Sequence, residues 1–192
     1  MPGVLRRALL PSLALTAVLA AGCGSDKSQP PKVTQVTKPT GVVKVAVPEA
    51  GVKFAAPDGW RRQKGKAPLV YAVQTGQATL AVWRYPRTEQ LPTTHKALKA
   101  AESALIAQIR KRDKTFKVTQ AKLLHVGPKR AVQVLGTGAI AGNRRTIRST
   151  HIYTERAEFV VDAYAPPTVF DRVDKQVFAP LLDSLEIAKP KA

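Results

Sequence analysis

The chain has 192 residues, 44% of them hydrophobic, which is enough for one folded domain with its own core. It contains 31 lysines and arginines against 13 aspartates and glutamates, so its formal net charge is +18 at pH 7, and such a chain attracts polyanions. Its single cysteine excludes an internal disulfide.

The first 22 residues have the pattern of a secretory signal peptide. Arg6 and Arg7 form a basic start, and an uncharged, mostly apolar stretch from Ala8 to Gly22 leads to Cys23. A basic start, a short apolar core and small residues before the cleavage site define such a peptide. A helix that spans a bilayer needs about 20 apolar residues, and this shorter run also contains Pro11.

The segment that ends at Cys23, Leu19-Ala20-Ala21-Gly22-Cys23, resembles the lipobox of bacterial lipoproteins. Ala20 stands where the commonest lipobox has leucine. The resemblance implies cleavage before Cys23 and acyl chains such as palmitate on that cysteine. The protein would then be anchored to the outer face of the bacterial cytoplasmic membrane, or to the periplasmic face of an envelope membrane. An ordinary secreted protein and a retained membrane anchor are the alternatives.

Residues 23–50 are interpreted as the lipidated cysteine and a flexible linker, because they are polar and rich in proline. Residues 51–188 are interpreted as the folded domain. Within the linker, Val42–Val47 alternates in a way that also allows a short strand on the domain edge.

The folded domain is predicted to begin with strands. Val52–Ala56 precedes a Pro-Asp-Gly turn at residues 57–59, and Leu69–Thr75 and Ala78–Tyr85 are joined by Gly76-Gln77, which is typical of a tight hairpin. A helix follows, with Thr93 or Thr94 as its N-cap. Its apolar residues recur at helical spacing: Leu98, Ala101, Leu105 and Ile109.

Four strands and a second helix are predicted after the first helix. The strands are Phe116–Val126, Arg130–Ala139, Arg144–Thr154 and Glu158–Ala165. Their connections of three to four residues require antiparallel neighbours, since a parallel crossover needs a dozen residues. The second helix is interrupted or bent at Pro180. We therefore expect an α+β fold, with an antiparallel sheet of about six to seven strands packed with two helices.

Three segments carry a resemblance to the PsbP-like (Mog/PsbP) superfamily. They are Phe54-Ala-Ala-Pro57-Asp58-Gly59-Trp60, Phe159–Pro166 and Asp183–Ile187. The resemblance covers about residues 50–188 and implies a PsbP-like α/β sandwich. Members include bacterial lipoproteins of unknown role, a photosystem accessory subunit and a nuclear import factor that binds a small GTPase. The family implies no shared catalytic set.

No catalytic or metal-binding arrangement is predicted. The three histidines lack metal-site spacing, and although Ser149 precedes His151 on one face of a strand, no Gly-x-Ser-x-Gly elbow is present. Gly136, Gly138 and Gly142 do not open a helix, which favours close strand packing over a dinucleotide loop. Asp162 either pairs with Arg148 or faces water at a sheet edge, and the second interpretation is favoured. We expect no enzyme activity, cofactor or metal.

The basic residues predict an anion-binding surface. Its candidates are Arg61, Arg62, Lys64, Arg110, Lys111, Arg112, Lys129, Arg130, Arg144, Arg145 and Arg148. The expected partners are anionic lipids, envelope polymers or an envelope protein, not nucleic acid, because an exported lipoprotein meets little of it. The alternative is that the charge only maintains solubility.

The leading functional hypothesis is a non-enzymatic envelope lipoprotein that binds a partner protein or an anionic envelope component. The alternative is a carrier or sensor of a lipid or metabolite, with a cleft between the sheet and the helices. Its candidate lining residues are Trp83, Tyr85, His151, Tyr153 and Tyr164. This alternative requires a concave pocket of at least roughly 300 Å³ with a few convergent polar groups.

Overall fold

The computed structural model describes residues 35–191. The elements follow in this order: β1 (Val42–Val47), β2 (Val52–Pro57), β3 (Arg61–Arg62), β4 (Leu69–Thr75), β5 (Ala78–Pro86), α1 (His95–Arg112), β6 (Lys117–Val126), β7 (Lys129–Ile140), β8 (Asn143–Tyr153), β9 (Ala157–Ala165), α2 (Pro167–Val173), a π-helical segment (Asp174–Phe178), α3 (Ala179–Asp183) and β10 (Glu186–Ile187).

The strands form two antiparallel sheets. The larger has seven strands in the order β3-β4-β5-β9-β8-β7-β6, and the smaller has three in the order β1-β2-β10. The predicted α+β fold, with an antiparallel sheet of about six to seven strands packed with two helices, is confirmed. The second sheet was not predicted, because β10 has only two residues and β1 lies in the segment assigned to the linker.

The main core lies on one face of the seven-stranded sheet. There, Leu80 and Val82 of β5 and Phe159 and Val161 of β9 pack with the α2–α3 helical run and the small sheet. Alternation along each strand sends the intervening side chains to the opposite face, as a two-residue period requires. Helix α1 covers only part of that opposite face, over β6 and β7.

Helix α1 forms as its sequence predicts. Thr94 caps it by accepting a hydrogen bond from the Ala97 N–H at 3.2 Å, and three basic residues occupy the last turn, where cations favour the helix dipole. Its apolar stripe is only partly covered. Ile109 packs with Phe116 and Val134 in a second, small core cluster.

The second predicted helix is a continuous helical run from Pro167 to Asp183 with a π-helical segment before Pro180. In that segment the N–H of Ala179 bonds to the carbonyl of Asp174, five residues back. Proline has no N–H to continue the α-helical ladder, and the wider turn carries the chain past this point.

The folded part begins before residue 51. Strand β1 pairs along its whole length with β2, and Val36 is buried against the main core. The assignment of residues 23–50 to a linker therefore needs correction for its second half. The alternative interpretation, a strand at the domain edge, describes Val42–Val47 correctly.

The glycines of β7 serve close packing, as expected. A Cβ on Gly136 would lie 2.6 Å from the ring of Phe116, and one on Gly138 would lie 2.8 Å from the same ring. The aromatic ring occupies the space that the two side chains would need.

Candidate functional site: the cleft beneath helix α1

A cleft of about 730 Å³ lies between helix α1 and the open face of the seven-stranded sheet. Clefts of roughly 300–1,000 Å³ are typical of small-molecule sites. Four of the five predicted lining residues lie in it: Tyr85, His151, Tyr153 and Tyr164. The fifth, Trp83, is on the same face of β5 but is not among the lining residues.

The polar floor of the cleft comes from two adjacent strands in the middle of the sheet. Ser149, His151 and Tyr153 are alternate residues of β8, and Glu158, Val160 and Asp162 are alternate residues of β9. The antiparallel register places Ser149 opposite Asp162, and Tyr153 opposite Glu158. Directly opposed residues have Cβ atoms about 5 Å apart, so these side chains meet on the cleft face.

A chain of hydrogen bonds connects these side chains. Oγ of Ser149 lies 2.6 Å from Oδ1 of Asp162 and 3.1 Å from Nε2 of His151. Nδ1 of His151 lies 2.6 Å from Oε1 of Glu158. The other carboxylate oxygen of Glu158 accepts from Arg87, whose Nε is 3.1 Å away and whose Nη2 forms an ion pair with it. Five side chains thus form one continuous network.

The two carboxyl groups of the floor have opposite pKa shifts. Burial raises the pKa of Glu158, but hydrogen bonds and charge from His151 and Arg87 outweigh burial and leave that pKa below its usual value. Burial also raises the pKa of Asp162, and there the opposing effects of Ser149 and His151 do not outweigh it. Glu158 is therefore the anion, and Asp162 is the group that retains a proton more readily.

The network links the two carboxyl groups through a hydroxyl and an imidazole. The hydroxyl of Ser149 donates to Asp162, and its oxygen shares the next hydrogen bond with Nε2 of His151. Glu158 accepts from Nδ1 of His151 and from Arg87.

Two tyrosines at the cleft are kept in their neutral form. Burial, followed by the negative charge of Glu158, raises the pKa of Tyr153 to about 12. Burial, followed by the charges of Asp162 and Glu158, raises the pKa of Tyr85. Both hydroxyls remain available as hydrogen-bond donors at physiological pH.

The wall opposite the floor is largely apolar. Its apolar residues come from one face of α1 and from the sheet below it: Ala101, Ala104, Leu105, Ile109, Val134, Ile147 and Val160. Gln108, Arg112 and Asp113 add polar groups at and after the C-terminal end of α1. The cleft is thus amphipathic.

The contacts of Ser149, His151 and Glu158 follow the order found in serine hydrolases. Two features differ from the usual arrangement in such hydrolases. Ser149 lies in the middle of a strand that is paired on both sides, so the backbone amides around it belong to the sheet ladders. Its hydroxyl also donates to Asp162.

Within residues 35–191, no group of three or more histidines, cysteines or acidic residues is placed to hold a metal ion. Over the same range, no helix is long and apolar enough to cross a membrane. The proposed lipid attachment site, Cys23, and the signal peptide lie outside the described residues.

Asp162 and Arg148 differ from their predicted positions. Asp162 lies on the central strand β9 and bonds to Ser149, so it neither faces water at an edge nor pairs with Arg148. Arg148 projects to the opposite face and forms an ion pair with Asp174. The pairing partner belongs to a helical segment far along the chain, which strand spacing does not indicate.

The predicted basic surface is divided. Eight of the eleven candidates are exposed: Arg61, Arg62, Lys64, Arg110, Lys111, Arg112, Arg130 and Arg144. Lys129 is partly exposed. Lys129 and Arg130 lie at the β6–β7 turn, at the opposite end of the sheet from Arg144 and Arg145. Arg145 is buried and Arg148 is paired, so neither contributes to an open cationic surface.

Glu158 and Arg87 were missed as site residues. A signal for Glu158 is present in the sequence: it shares a strand face with Asp162 and Tyr164 in an otherwise apolar strand. Arg87 follows the end of β5 in an irregular segment, and nothing in its local sequence indicates that it pairs with Glu158.

The fold is similar to that of two solved structures. The solution structure of cyanobacterial PsbP (CyanoP) from Synechocystis sp. PCC 6803 has a TM-score of 0.58 and 11% identity, covering 88% of this chain and 98% of that one. The crystal structure of LpqN, involved in cell envelope biogenesis of Mycobacterium tuberculosis, has a TM-score of 0.57 and 15% identity, covering 78% and 91%. No family model and no curated protein matches the chain. The chain therefore has the PsbP-like α+β fold.

Proposed function

We propose that this protein is a non-enzymatic lipoprotein of the bacterial cell envelope whose domain binds a small amphipathic ligand, a lipid or metabolite, in the cleft beneath α1. The observation that carries the proposal is the cleft itself, because its volume of about 730 Å³ exceeds what such a ligand requires and polar groups converge on its floor. This favours the carrier or sensor hypothesis over the partner-binding hypothesis that the sequence placed first.

The chemistry of the walls supports an amphipathic ligand. Alanines, leucine and isoleucine of α1 offer an apolar surface to a hydrocarbon or ring. Ser149, His151 and the tyrosine hydroxyls offer hydrogen bonds to a polar group of the ligand. A purely apolar ligand would leave the tyrosine hydroxyls that it covers without a hydrogen-bond partner, at a cost of about 1–3 kcal/mol each.

Anchoring through Cys23 at the outer face of the cytoplasmic membrane is the second part of the proposal. The lipobox-like segment supports it, and so does the fold similarity to LpqN, which is described as involved in cell envelope biogenesis. Cell fractionation of the Cys23→Ser variant tests it. We expect the variant to leave the membrane fraction, and full membrane retention would contradict the anchor.

The cleft is tested by filling it. Ala104 lines the cleft, whereas Ala107, which is exposed on the same helix as Ala104 is, does not. The native lipoprotein, Ala104→Trp and Ala107→Trp are purified from membranes in detergent, and their bound small molecules are identified by native mass spectrometry. We expect a ligand on the wild type and on Ala107→Trp, and at least a tenfold lower occupancy on Ala104→Trp.

Equal occupancy of the two tryptophan variants would place the ligand elsewhere. The absence of a small molecule from all three proteins would contradict a resident ligand. A parallel Ser149→Ala variant distinguishes hydrogen bonds with the floor from apolar contacts with the wall. It removes the hydroxyl at the centre of the network and leaves the apolar wall in place.

A second candidate function is binding of a partner protein or anionic envelope component through basic residues. One observation favours it: Arg110, Lys111 and Arg112 are exposed at the end of α1 and form no ion pair with any other described residue. Exposed, uncompensated cations attract anionic surfaces in a salt-dependent manner.

A further inference from the structure

A second pocket lies on the same face of the large sheet, towards the β7–β8 turn. Its volume is about 390 Å³, and Tyr164 and Ile140 separate it from the cleft, since both residues line the two spaces. Its polar lining consists mainly of uncharged donors and one arginine: Gln63, Gln74, Gln77, Asn143, Tyr164 and Arg145. No carboxylate from the described part of the chain lines it.

Arg145 is the unusual member of this set because it is a buried cation without a counter-ion. It is only 7% exposed. Within residues 35–191 its guanidinium makes one hydrogen bond, from Nη1 to the backbone oxygen of Arg144 at 2.8 Å, and no ion pair. The other charged residue that is equally buried, Glu158, has both Arg87 and His151 as partners.

A buried guanidinium cannot relieve its burial by losing its proton, because it stays charged at physiological pH. An unpaired buried charge costs several kcal/mol, so such groups are normally paired. Two amides of the pocket are already held in place: Gln74 donates to the backbone oxygen of Gly76 at 3.0 Å, and Asn143 donates to that of Ala141 at 3.0 Å. The pocket therefore contains a cation that has no charged partner in the described part of the chain, beside amides whose positions are fixed.

We propose that this pocket binds a phosphate group, with Arg145 as its charged anchor. Arginine presents a planar fork of donors that matches phosphate oxygens in a bidentate manner. A tetrahedral phosphate has further oxygens for Gln77, Asn143 and Tyr164, more than a planar carboxylate offers. Arg61, exposed on β3 directly opposite Gln74, adds positive potential at the rim.

The proposal does not rest on ligand binding in the cleft. The phosphate group belongs either to a free phosphate compound or to a phospholipid headgroup, and two arms of one experiment distinguish these sources. The first arm measures the affinity of the domain for inorganic phosphate by calorimetry, in chloride at matched ionic strength. The second measures association with phosphatidylglycerol vesicles by co-sedimentation.

Both arms compare the wild type with Arg145→Gln and Arg144→Gln. The two variants lose the same charge from adjacent positions on β8, but Arg144 is exposed on the opposite face. We expect at least a tenfold weaker affinity for Arg145→Gln and less than a threefold change for Arg144→Gln. A difference in the phosphate arm alone assigns a free phosphate compound, and a difference in the vesicle arm assigns a headgroup.

The proposal is overturned if neither arm distinguishes Arg145→Gln from Arg144→Gln. Gln77→Ala provides a second test that leaves Arg145 in place, and its location in the β4–β5 turn makes misfolding a small concern. We expect it to weaken phosphate binding about threefold to tenfold. The cleft-filling variant Ala104→Trp should bind phosphate as the wild type does, so a failure of the cleft proposal is recognised separately.

Discussion

Two carboxyl groups on one face of β9 show how local contacts determine ionisation. Glu158 receives hydrogen bonds from a histidine and an arginine, and its pKa falls. Asp162, four residues further, receives one from the neutral hydroxyl of Ser149, and burial outweighs it, so its pKa rises. The difference arises because Glu158 has two partners that carry or can carry positive charge, and these outweigh its desolvation. The floor therefore has an ionised carboxylate at one end and a carboxyl group with a raised pKa at the other.

Asp162→Asn should change how stability depends on pH. Because the folded pKa of Asp162 is raised, its stabilising contribution is complete below its unfolded pKa of about 3.9 and is lost as pH rises through the folded value. Asparagine has no proton to lose and still accepts from Ser149. Thermal unfolding at a series of pH values should show the melting temperature of the variant, relative to wild type, increasing above about pH 4 and then levelling off. A constant difference across the series would contradict the raised pKa.

At the scale of elements, β7 and the segment after α1 depend on close approach. Phe116 packs over Gly136 in the small core cluster beneath α1, with no space for a side chain between them. Both the position of the helix and the shape of the cleft follow from this contact.

Gly136→Ala should therefore destabilise the domain. The new methyl group would lie 2.5 Å from the backbone oxygen of Lys117. This oxygen belongs to strand β6 and cannot move away without disturbing the sheet. We expect a loss of about 1–3 kcal/mol in the free energy of unfolding by urea, the usual cost of overpacking. Gly41→Ala is the matched control, because its Cβ would meet nothing closer than 3.9 Å. Equal stability of Gly136→Ala and the control would contradict the packing.

Strand β1 is an integral part of the fold although it lies in a segment that resembles a linker. It pairs with β2, and Val45 and Val47 pack against the main core.

A domain that begins at residue 51 should be less stable than one that begins at residue 35. Removal of β1 exposes the edge of β2 and takes Val36, Val45 and Val47 from the core, and each buried valine contributes up to about 2 kcal/mol. Urea unfolding of the two domains should differ by on the order of 2–4 kcal/mol. Identical midpoints would show that residues 35–50 act as a spacer after all.

For the whole molecule, the excess of cations determines how it meets its surroundings. The chain has a formal net charge of +18, and exposed basic residues of the described part lie at both ends of the sheet. This charge produces a general attraction to anionic surfaces in addition to any specific site. Each basic side chain near a bilayer with anionic headgroups contributes about 1 kcal/mol to the binding free energy.

Association of the domain with anionic vesicles should fall steeply with salt. Between about 50 and about 500 mM salt, the screening length shortens from roughly 14 to roughly 4 Å, and we expect the bound fraction in co-sedimentation to fall at least tenfold. The triple variant Arg110→Gln, Lys111→Gln, Arg112→Gln should reduce binding at low salt. Binding that ignores salt would contradict an electrostatic surface.

Much of the fold was predictable because its signals are local. The antiparallel order of β6 to β9 follows from connections of two to three residues, and α1 follows from the spacing of Leu98, Leu105 and Ile109. The pairing of β10 with β2 depends on residues far apart in the chain, and two residues carry too little pattern to reveal the sheet that they complete.

The site was predictable only in part for the same reason. Tyrosines and His151 on alternate positions of two strands indicated one face, and the structure brings four of the five into one cleft. The contacts that give the floor its chemistry cross strands and loops, as from Arg87 to Glu158. The partner of Arg148 comes from the second helical run. Strand periodicity assigns a side chain to a face but does not identify its neighbour.

The position of β8 and β9 in the middle of the sheet has a mechanical consequence. Each is bonded to a neighbour on both sides, so Ser149 and Glu158 cannot shift without disrupting several ladders. Helix α1, in contrast, contacts the sheet mainly through β6 and β7 and is connected to β5 by irregular residues 87–94. For the ligand that we propose, the floor of the cleft would thus be rigid, and any opening for uptake or release would come from movement of the helix. Ligand binding should therefore slow amide hydrogen exchange in α1 and leave exchange in β8 and β9 almost unchanged.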